Sequence, residues 1–205
     1  QMCIRDSLWS GQVVSNVGTQ VSTLAFPLLI LALTRSPAQA GLAGALRALP
    51  YLIFSLPAGA LIDRWDRKLV MVLCDIGRAL SMASIPVALA IGHLTVLQLF
   101  IVSTVEGTLF VFFNIAEAAC LPRVVSKAQL PAATAQNMAT DGITSLAGPP
   151  LGGALYQLGN VLPFLGDAIS YAVSVISLFF IKTNFQEKRT LAARKLWVEI
   201  GEGLS

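Results

Sequence analysis

The chain has 205 residues, of which 55% are hydrophobic and 12% are charged. A soluble domain carries roughly 25% charged residues, so this composition excludes an ordinary soluble protein and predicts one embedded in a lipid bilayer. The net charge is +3, but the basic residues form no stripe with interleaved aromatic residues, which argues against a nucleic-acid partner.

Six apolar segments are each long enough to cross a bilayer as a helix. Lipid offers no hydrogen-bond partner to the backbone, so spanning segments must pair their own N–H and C=O groups, as helices do. We therefore predict an all-α membrane protein whose six-helix transmembrane bundle occupies residues 8–182. The predicted spans cover residues 8–33, 39–62, 69–91, 96–119, 132–158 and 161–181.

The two ends of the chain are expected to lie outside this bundle. Residues 1–7 are polar and abut the first apolar segment directly, so we interpret them as a non-native leader. Residues 183–205 are charged and then mildly amphipathic, a pattern typical of a segment at the inner membrane surface. No seventh apolar segment follows, and we expect this stretch to be a cytoplasmic loop that is truncated.

Basic residues are concentrated in alternate loops. The loops after spans two and four and the tail after span six are basic, whereas the other loops hold only Arg35. Loops rich in lysine and arginine face the cytoplasm. The N-terminus and the tail are therefore expected on the cytoplasmic side of a multi-pass protein in the inner (plasma) membrane.

A short charged stretch joins the second and third apolar segments. Asp63 falls at the end of one helix, where the helix dipole disfavours a carboxylate, while Arg67 and Lys68 open the next helix, where cations are disfavoured. Positions that break a local rule tend to be functional or strained. Asp63 needs a cation or the N-terminus of another helix, and Arg67 lies four residues away.

This stretch resembles the loop signature of the major facilitator superfamily of transporters, Gly-x-Leu-x-Asp-Arg-x-x-Arg-Lys. The resemblance implies that it joins helices two and three on the cytoplasmic side and helps to latch the two halves of a transporter. The alternative is a positively charged anchor with no moving role. The residues that carry the signature are Gly59, Leu61, Asp63, Arg64, Arg67 and Lys68.

Polar side chains interrupt the first two apolar segments. Asn16 and Gln20 share one face of the first helix with Thr19 and Thr23. Polar groups in a spanning helix face the bundle interior or a water-filled cavity, or they hydrogen-bond neighbouring helices. In the second helix Arg47 either snorkels outward or reaches into the cavity.

Glu106 lies at the middle of the fourth apolar segment. A carboxylate there costs a few kcal/mol on insertion scales, so it must be protonated, paired or hydrated. Arg47 is a plausible partner. Glu106 either carries a coupling proton, meets a cationic group of a substrate, or is a buried structural acid.

Aromatic and polar side chains share the helical face that contains Glu106. Phe110 and Phe113 suggest an aromatic-lined pocket for a bulky apolar substrate; the alternative is that they pack in the core. Asn114 lies on this face, and Asp141 lies on a polar side of the fifth helix. We include both among the candidate cavity residues.

Ionisable residues in the third and sixth segments are assigned structural roles. Asp75 and Arg78 lie three residues apart on one helical face and can neutralise each other. Asp167, Ser170 and Ser174 share a face of the sixth helix and are interpreted mainly as packing contacts; the alternative for Asp167 is a cap or anchor near the outer end.

The fifth segment carries Gly148-Pro149-x-x-Gly152-Gly153, which resembles the helix-five signature of facilitator-family antiporters, mostly exporters. Together with Arg47 in Arg-Ala-Leu-Pro-Tyr and the Asp75–Arg78 pair, it makes the chain similar to the subfamily of the enterobactin exporter and macrolide-efflux proteins. The chain departs from many proton-coupled exporters at Ser103, where those carry an arginine.

The resemblance implies the N-terminal half of a major facilitator fold, built as two inverted three-helix repeats. It implies proton-coupled efflux of a small amphiphilic molecule, such as an antibiotic or a siderophore, by alternating access. The partners would be the bilayer, that substrate and a missing C-terminal half of the same polypeptide. Alternatives are an importer, a non-transporting sensor on the same fold, or a six-helix protein that works as a dimer.

Motifs for other chemistry are absent from the sequence. No nucleophile–base pair, metal-ligand set or phosphate loop occurs at a useful spacing. We therefore expect neither an enzyme nor a bound metal or cofactor.

Overall fold

The computed structural model of the protein describes residues 2–124 and 129–180. These residues form six α-helices, which confirms the predicted all-α fold class. The tail predicted as a cytoplasmic loop lies outside the described residues, and residues 2–7 continue the first helix. The helices are α1 (Met2–Thr34), α2 (Pro37–Ile62), α3 (Arg67–Ile91), α4 (Val96–Val124), α5 (Leu130–Leu158) and α6 (Leu162–Phe180).

Five stretches within these helices are long and apolar enough to cross a membrane. The exception is α5, which has 29 residues and is long enough. Its first half contains Asn137, Thr140 and Asp141, which lower its hydropathy below that of its neighbours. The five stretches are Ser15–Thr34, Pro37–Ile62, Arg67–Ile91, Val96–Cys120 and Leu162–Phe179.

Capping residues explain where α3 begins and ends. Asp66 is the N-cap of α3, and its carboxylate accepts hydrogen bonds from the backbone N–H groups of Lys68 and Leu69, at 2.9 and 3.2 Å. A carboxylate at a helix N-terminus is favourable, so Asp66 offsets the cationic side chains that open α3. The helix ends at Gly92, whose φ of 75° is a conformation that glycine adopts readily.

Helix packing follows a two-fold pattern. α1 packs mainly on α5 and α6, α4 packs mainly on α2 and α3, and α3 packs on α6. The main pairs map onto one another when α1 is exchanged with α4, α2 with α5 and α3 with α6. This pattern matches a bundle made of two three-helix repeats.

Glycines allow the closest helix approaches in both repeats. A Cβ on Gly107 of α4 would overlap the carbonyl oxygen of Arg47 in α2, so these two backbones are in contact. In the related pair, Gly148 and Gly152 of α5 lie against the backbone of α1 at Gln20 and Val21. Small residues at such crossings let membrane helices pack closely.

Two apolar clusters contribute to the core of the bundle. One gathers Met71, Val111 and Phe113, and the other gathers Phe26, Leu99 and Phe164. In the second cluster the rings of Phe26 and Phe164 meet edge to face, with 5.3 Å between their centroids.

Candidate functional site

A cavity of about 730 Å³ opens between α1, α2, α4 and α5. Its size falls within the range of small-molecule sites. Six of the eight residues that the sequence nominated for a cavity lie in its wall. These six are Asn16, Gln20, Arg47, Phe110, Asn114 and Asp141.

The cavity wall combines apolar surface with a few polar groups. Phe26, Tyr51 and Phe110 supply aromatic surface, while Gln20 and Thr23 of α1 supply polar atoms. This mixture is typical of sites that hold an apolar body and orient it through a small number of polar contacts.

The edge of the cavity is tied together by a hydrogen bond between α1 and α5. The amide Nδ2 of Asn16 donates to Asp141 Oδ1 at 3.0 Å. Both residues also line a neighbouring cavity of about 220 Å³, together with Asn114 and Glu117. The polar groups that the sequence placed on three different helices therefore converge in space.

Glu106 and Phe113 do not line the cavity. Glu106 is fully buried, and Phe113 packs in an apolar cluster with Met71 and Val111. Positions 106 and 113 of α4 point away from the cavity, although the helical periodicity placed them on the face of Phe110. The face predicted from periodicity includes two surfaces. One part packs on α3 and α6, and only the other part lines the cavity.

Arg47, the plausible partner of Glu106 in the sequence, does not pair with it in the structure. The partner of Glu106 is Arg78 of α3, whose Nε lies 3.4 Å from Glu106 Oε2. Arg47 instead lines the cavity, where its buried Nη1 atom has no hydrogen-bond partner.

Arg78 is the centre of a buried polar network that joins four helices. Its Nη2 donates to the hydroxyl of Tyr171 in α6 at 2.5 Å and to Thr19 Oγ1 in α1 at 3.2 Å. The Tyr171 hydroxyl also donates to Glu106 Oε2 at 3.3 Å. The guanidinium lies over the Tyr171 ring, 4.1 Å from its centroid.

Two further carboxylates are buried close to this network. Asp75 accepts a hydrogen bond from Ser174 Oγ at 2.6 Å and lies 3.9 Å from Arg78 Nη1, so the expected mutual neutralisation is only partial. Asp167 accepts from Ser22 Oγ at 2.5 Å. It is fully buried between α6 and α1, where its neighbours include Gly18, and it does not cap or anchor the outer end.

Sequence reasoning missed Arg78, Tyr171 and Asp167 as members of one cluster. The signal was present, because ionisable residues inside a membrane span are functional candidates by default. Because Asp75 and Arg78 are three residues apart on one helix, they were assigned to each other, and their contacts with other helices were not predicted. Nothing in the sequence around Tyr171 marked it as a partner of Arg78 or Glu106.

In the charged loop after α2, Asp63 forms an ion pair with Arg67, the nearby cation identified in the sequence. Arg67 Nη2 lies 3.0 Å from Asp63 Oδ1, and Arg67 Nη1 donates to the carbonyl oxygen of Ala119 at 2.8 Å. Trp65 stacks on Phe112 of α4, with 6.4 Å between the ring centroids. The loop is thus fastened to the end of α4, beside the exposed Arg64 and the half-buried Lys68.

The antiporter-like residues of α5 have unequal surroundings. Gly148 and Gly152 are in backbone contact with α1, while a Cβ on Gly153 would meet only a leucine side-chain atom of α1 at 3.7 Å. Pro149 lies inside α5 and removes one backbone donor there. In the signature loop, a Cβ on Gly59 would meet nothing within 4 Å. The roles of these glycines in transport stay predictions.

Among the described residues, no group of three or more histidine, cysteine, aspartate or glutamate side chains is placed to hold a metal ion. Cys74 and Cys120 are both buried.

The sequence matches a family model described as Major Facilitator Superfamily over residues 8–204. It is 28% identical to the uncharacterized MFS-type transporter YfiS of Bacillus subtilis, over 97% of this chain and 48% of that protein. No solved structure gives a significant match.

Two relatives carry names that state an activity. Macrolide efflux protein A of Streptococcus pyogenes is 23% identical over 86% of this chain and 44% of that protein. Multidrug efflux pump Tap of Mycolicibacterium fortuitum is 25% identical over 83% of this chain and 43% of that protein. The chain spans about half the length of these relatives.

Proposed function

The chain belongs to the Major Facilitator Superfamily, and from this premise we propose that it serves the export of a small amphiphilic molecule. The observation that carries the proposal is the cavity of about 730 Å³, whose wall joins aromatic surface to a few polar groups. The efflux relatives support the direction of transport.

Alternating access is the mechanism that fits this geometry. The cavity is open on one side of a bundle whose helices are related by a three-helix repeat. In our proposal a second half of the same polypeptide supplies the opposite wall, and the two halves rock about the cavity. The bundle would lie in the plasma membrane with its N-terminus in the cytoplasm, as its basic loops favour.

A proton gradient is the proposed energy source. Glu106 and Asp75 are fully buried beside the buried guanidinium of Arg78, and Asp167 is fully buried between α1 and α6. Glu106 Oε1 and Asp75 Oδ1 have no hydrogen-bond partner. Three carboxylates exceed what one arginine neutralises, and an uncompensated buried charge is costly, so this network is suited to bind and release protons.

Export is tested with a fluorescent drug in cells that lack their own efflux pumps and express the complete reading frame. We expect faster loss of the preloaded dye than in cells with an empty vector, and we expect an uncoupler to abolish the difference. Increased retention of the dye would indicate import, and no change in either direction would favour a sensor. If the faster dye loss persists with the uncoupler, proton coupling is contradicted and the export proposal still stands.

Replacing Asp63 with asparagine separates a moving role of the loop from an anchoring role. The Asp63 side chain is 50% exposed, and such ion pairs contribute only about 0–1 kcal/mol. The unfolding midpoint in detergent should therefore barely change. If the loop latches the two halves, dye export should nevertheless fall by about tenfold, which corresponds to about 1.4 kcal/mol in the transport barrier.

Asp66→Asn is the matched control, because it removes a loop charge of the same sign while asparagine still caps α3. Export by this variant should equal that of the unmodified protein. If Asp63→Asn and Asp66→Asn both export as fast as the unmodified protein, the loop is an anchor.

A further inference from the structure

We infer that the cavity recognises its substrate through an anionic group, a carboxylate or phenolate, that is bound by Arg47. The inference rests on the proposed export function and adds the chemical class of the substrate. The helix crossing at Gly107, the surroundings of the Arg47 side chain and the charges of the cavity wall support it.

The backbone of Arg47 is fixed where the side chain meets the cavity. The carbonyl oxygen of Arg47 is in contact with Gly107 of α4, at a crossing too close for any side chain on that glycine. The position of Arg47 along the cavity wall is therefore set by two packed helices.

The Arg47 guanidinium is incompletely satisfied within the described part of the chain. Its Nη1 atom is buried and has no hydrogen-bond partner. None of the ion pairs found among the described residues includes Arg47. An unsatisfied buried cation costs free energy that a bound anion would recover.

The nearby acids are engaged elsewhere. Glu106 and Asp75 face Arg78. The Asp167 carboxylate accepts hydrogen bonds from Ser22 and Ser170, and Asp167 is fully buried and does not line the cavity.

One other charged side chain occurs among the described residues of the cavity wall. It is Asp141, on α5, and its Oδ1 atom already accepts from Asn16. A planar guanidinium binds carboxylate and phenolate oxygens with directed hydrogen bonds. The aromatic surface of Tyr51 and Phe110 is available for the apolar part of the same molecule.

Two dyes with one xanthene core and opposite charges test the inference. Fluorescein, loaded as its diacetate, is anionic inside cells, and tetramethylrhodamine methyl ester is cationic. Cells expressing the complete reading frame should export fluorescein. Arg47→Gln should slow this export by about tenfold, the equivalent of one hydrogen bond to a charged group, and should change rhodamine export by less than about twofold.

Charge variants keep the result independent of folding. Arg47→Lys retains the cation and should keep fluorescein export within about threefold of the unmodified rate. Arg47→Glu should lose fluorescein export and increase rhodamine export, an inversion that misfolding cannot produce. Arg35→Gln removes an arginine from the turn between α1 and α2, outside the cavity wall, and should change neither rate.

Failure of the inference and failure of the export proposal give different results. If the unmodified protein exports rhodamine but not fluorescein, or if Arg47→Gln slows both dyes equally, export stands and the inference is wrong. Equal slowing would indicate that Arg47 pairs with an acid elsewhere in the complete polypeptide. If neither dye is exported, the export proposal fails and the inference falls with it.

Discussion

Replacing Arg78 with methionine is expected to destabilise the bundle by about 3–5 kcal/mol, the usual cost of removing one partner from a buried ion pair. Arg78 is 2% exposed, and its guanidinium contacts Glu106, Tyr171 and Thr19. Without it, Glu106 stays in the interior with no cation. Unfolding by SDS titration in mixed micelles measures the loss.

A double variant shows whether the loss comes from the orphaned carboxylate. Arg78→Met with Glu106→Gln removes both charges and should recover part of the stability, which gives a coupling free energy between the two sites. Arg35→Met, at an exposed arginine, should change stability by less than about 0.5 kcal/mol. An Arg78→Met protein as stable as the unmodified one would contradict the network described above.

Replacing Gly107 with alanine is expected to destabilise the bundle by about 1–3 kcal/mol, the usual cost of overpacking. The added methyl group would overlap the backbone carbonyl of Arg47. A backbone atom at a helix crossing cannot rotate away as a side chain can, so α2 and α4 must separate.

The same substitution at Gly41 of α2 should act in the opposite direction. A Cβ there meets nothing within 4 Å, so alanine gains only its higher helix propensity, about 0.5–1 kcal/mol. SDS titration of both variants measures the contrast. Equal effects at the two positions would show that α2 and α4 are not in backbone contact at Gly107.

The number and order of the helices could be predicted from the sequence, because bilayer thickness and backbone hydrogen bonding leave few alternatives. The prediction was weakest at α5. Its length indicated a span, but its polar first half does not reach the hydropathy of the other helices. Contacts with α1 through Gly148 and Gly152 place it in the bundle, and such contacts are not visible in a hydropathy pattern.

Much of the cavity wall could also be predicted, since polar residues on an apolar helix must face the interior. Periodicity does not say which interior surface they face. Opposite charge and similar depth in the membrane make Arg47 a plausible partner for Glu106, but Glu106 forms its ion pair with Arg78. Choosing between two arginines on different helices requires the rotation of each helix, and packing of the whole bundle sets those rotations.

Labelling of a cysteine in the cavity wall is the most direct test that this cavity holds the substrate. Thr23→Cys would be made in the complete reading frame, with Cys3, Cys74 and Cys120 replaced, and exposed to a water-soluble maleimide. Leu80→Cys is the control, because Leu80 of α3 is 68% exposed outside the cavity wall, where lipid should cover it. We expect labelling only at position 23, and an exported dye should slow it. Labelling at position 23 that the dye leaves unchanged, or no labelling there, would contradict the assignment of this cavity.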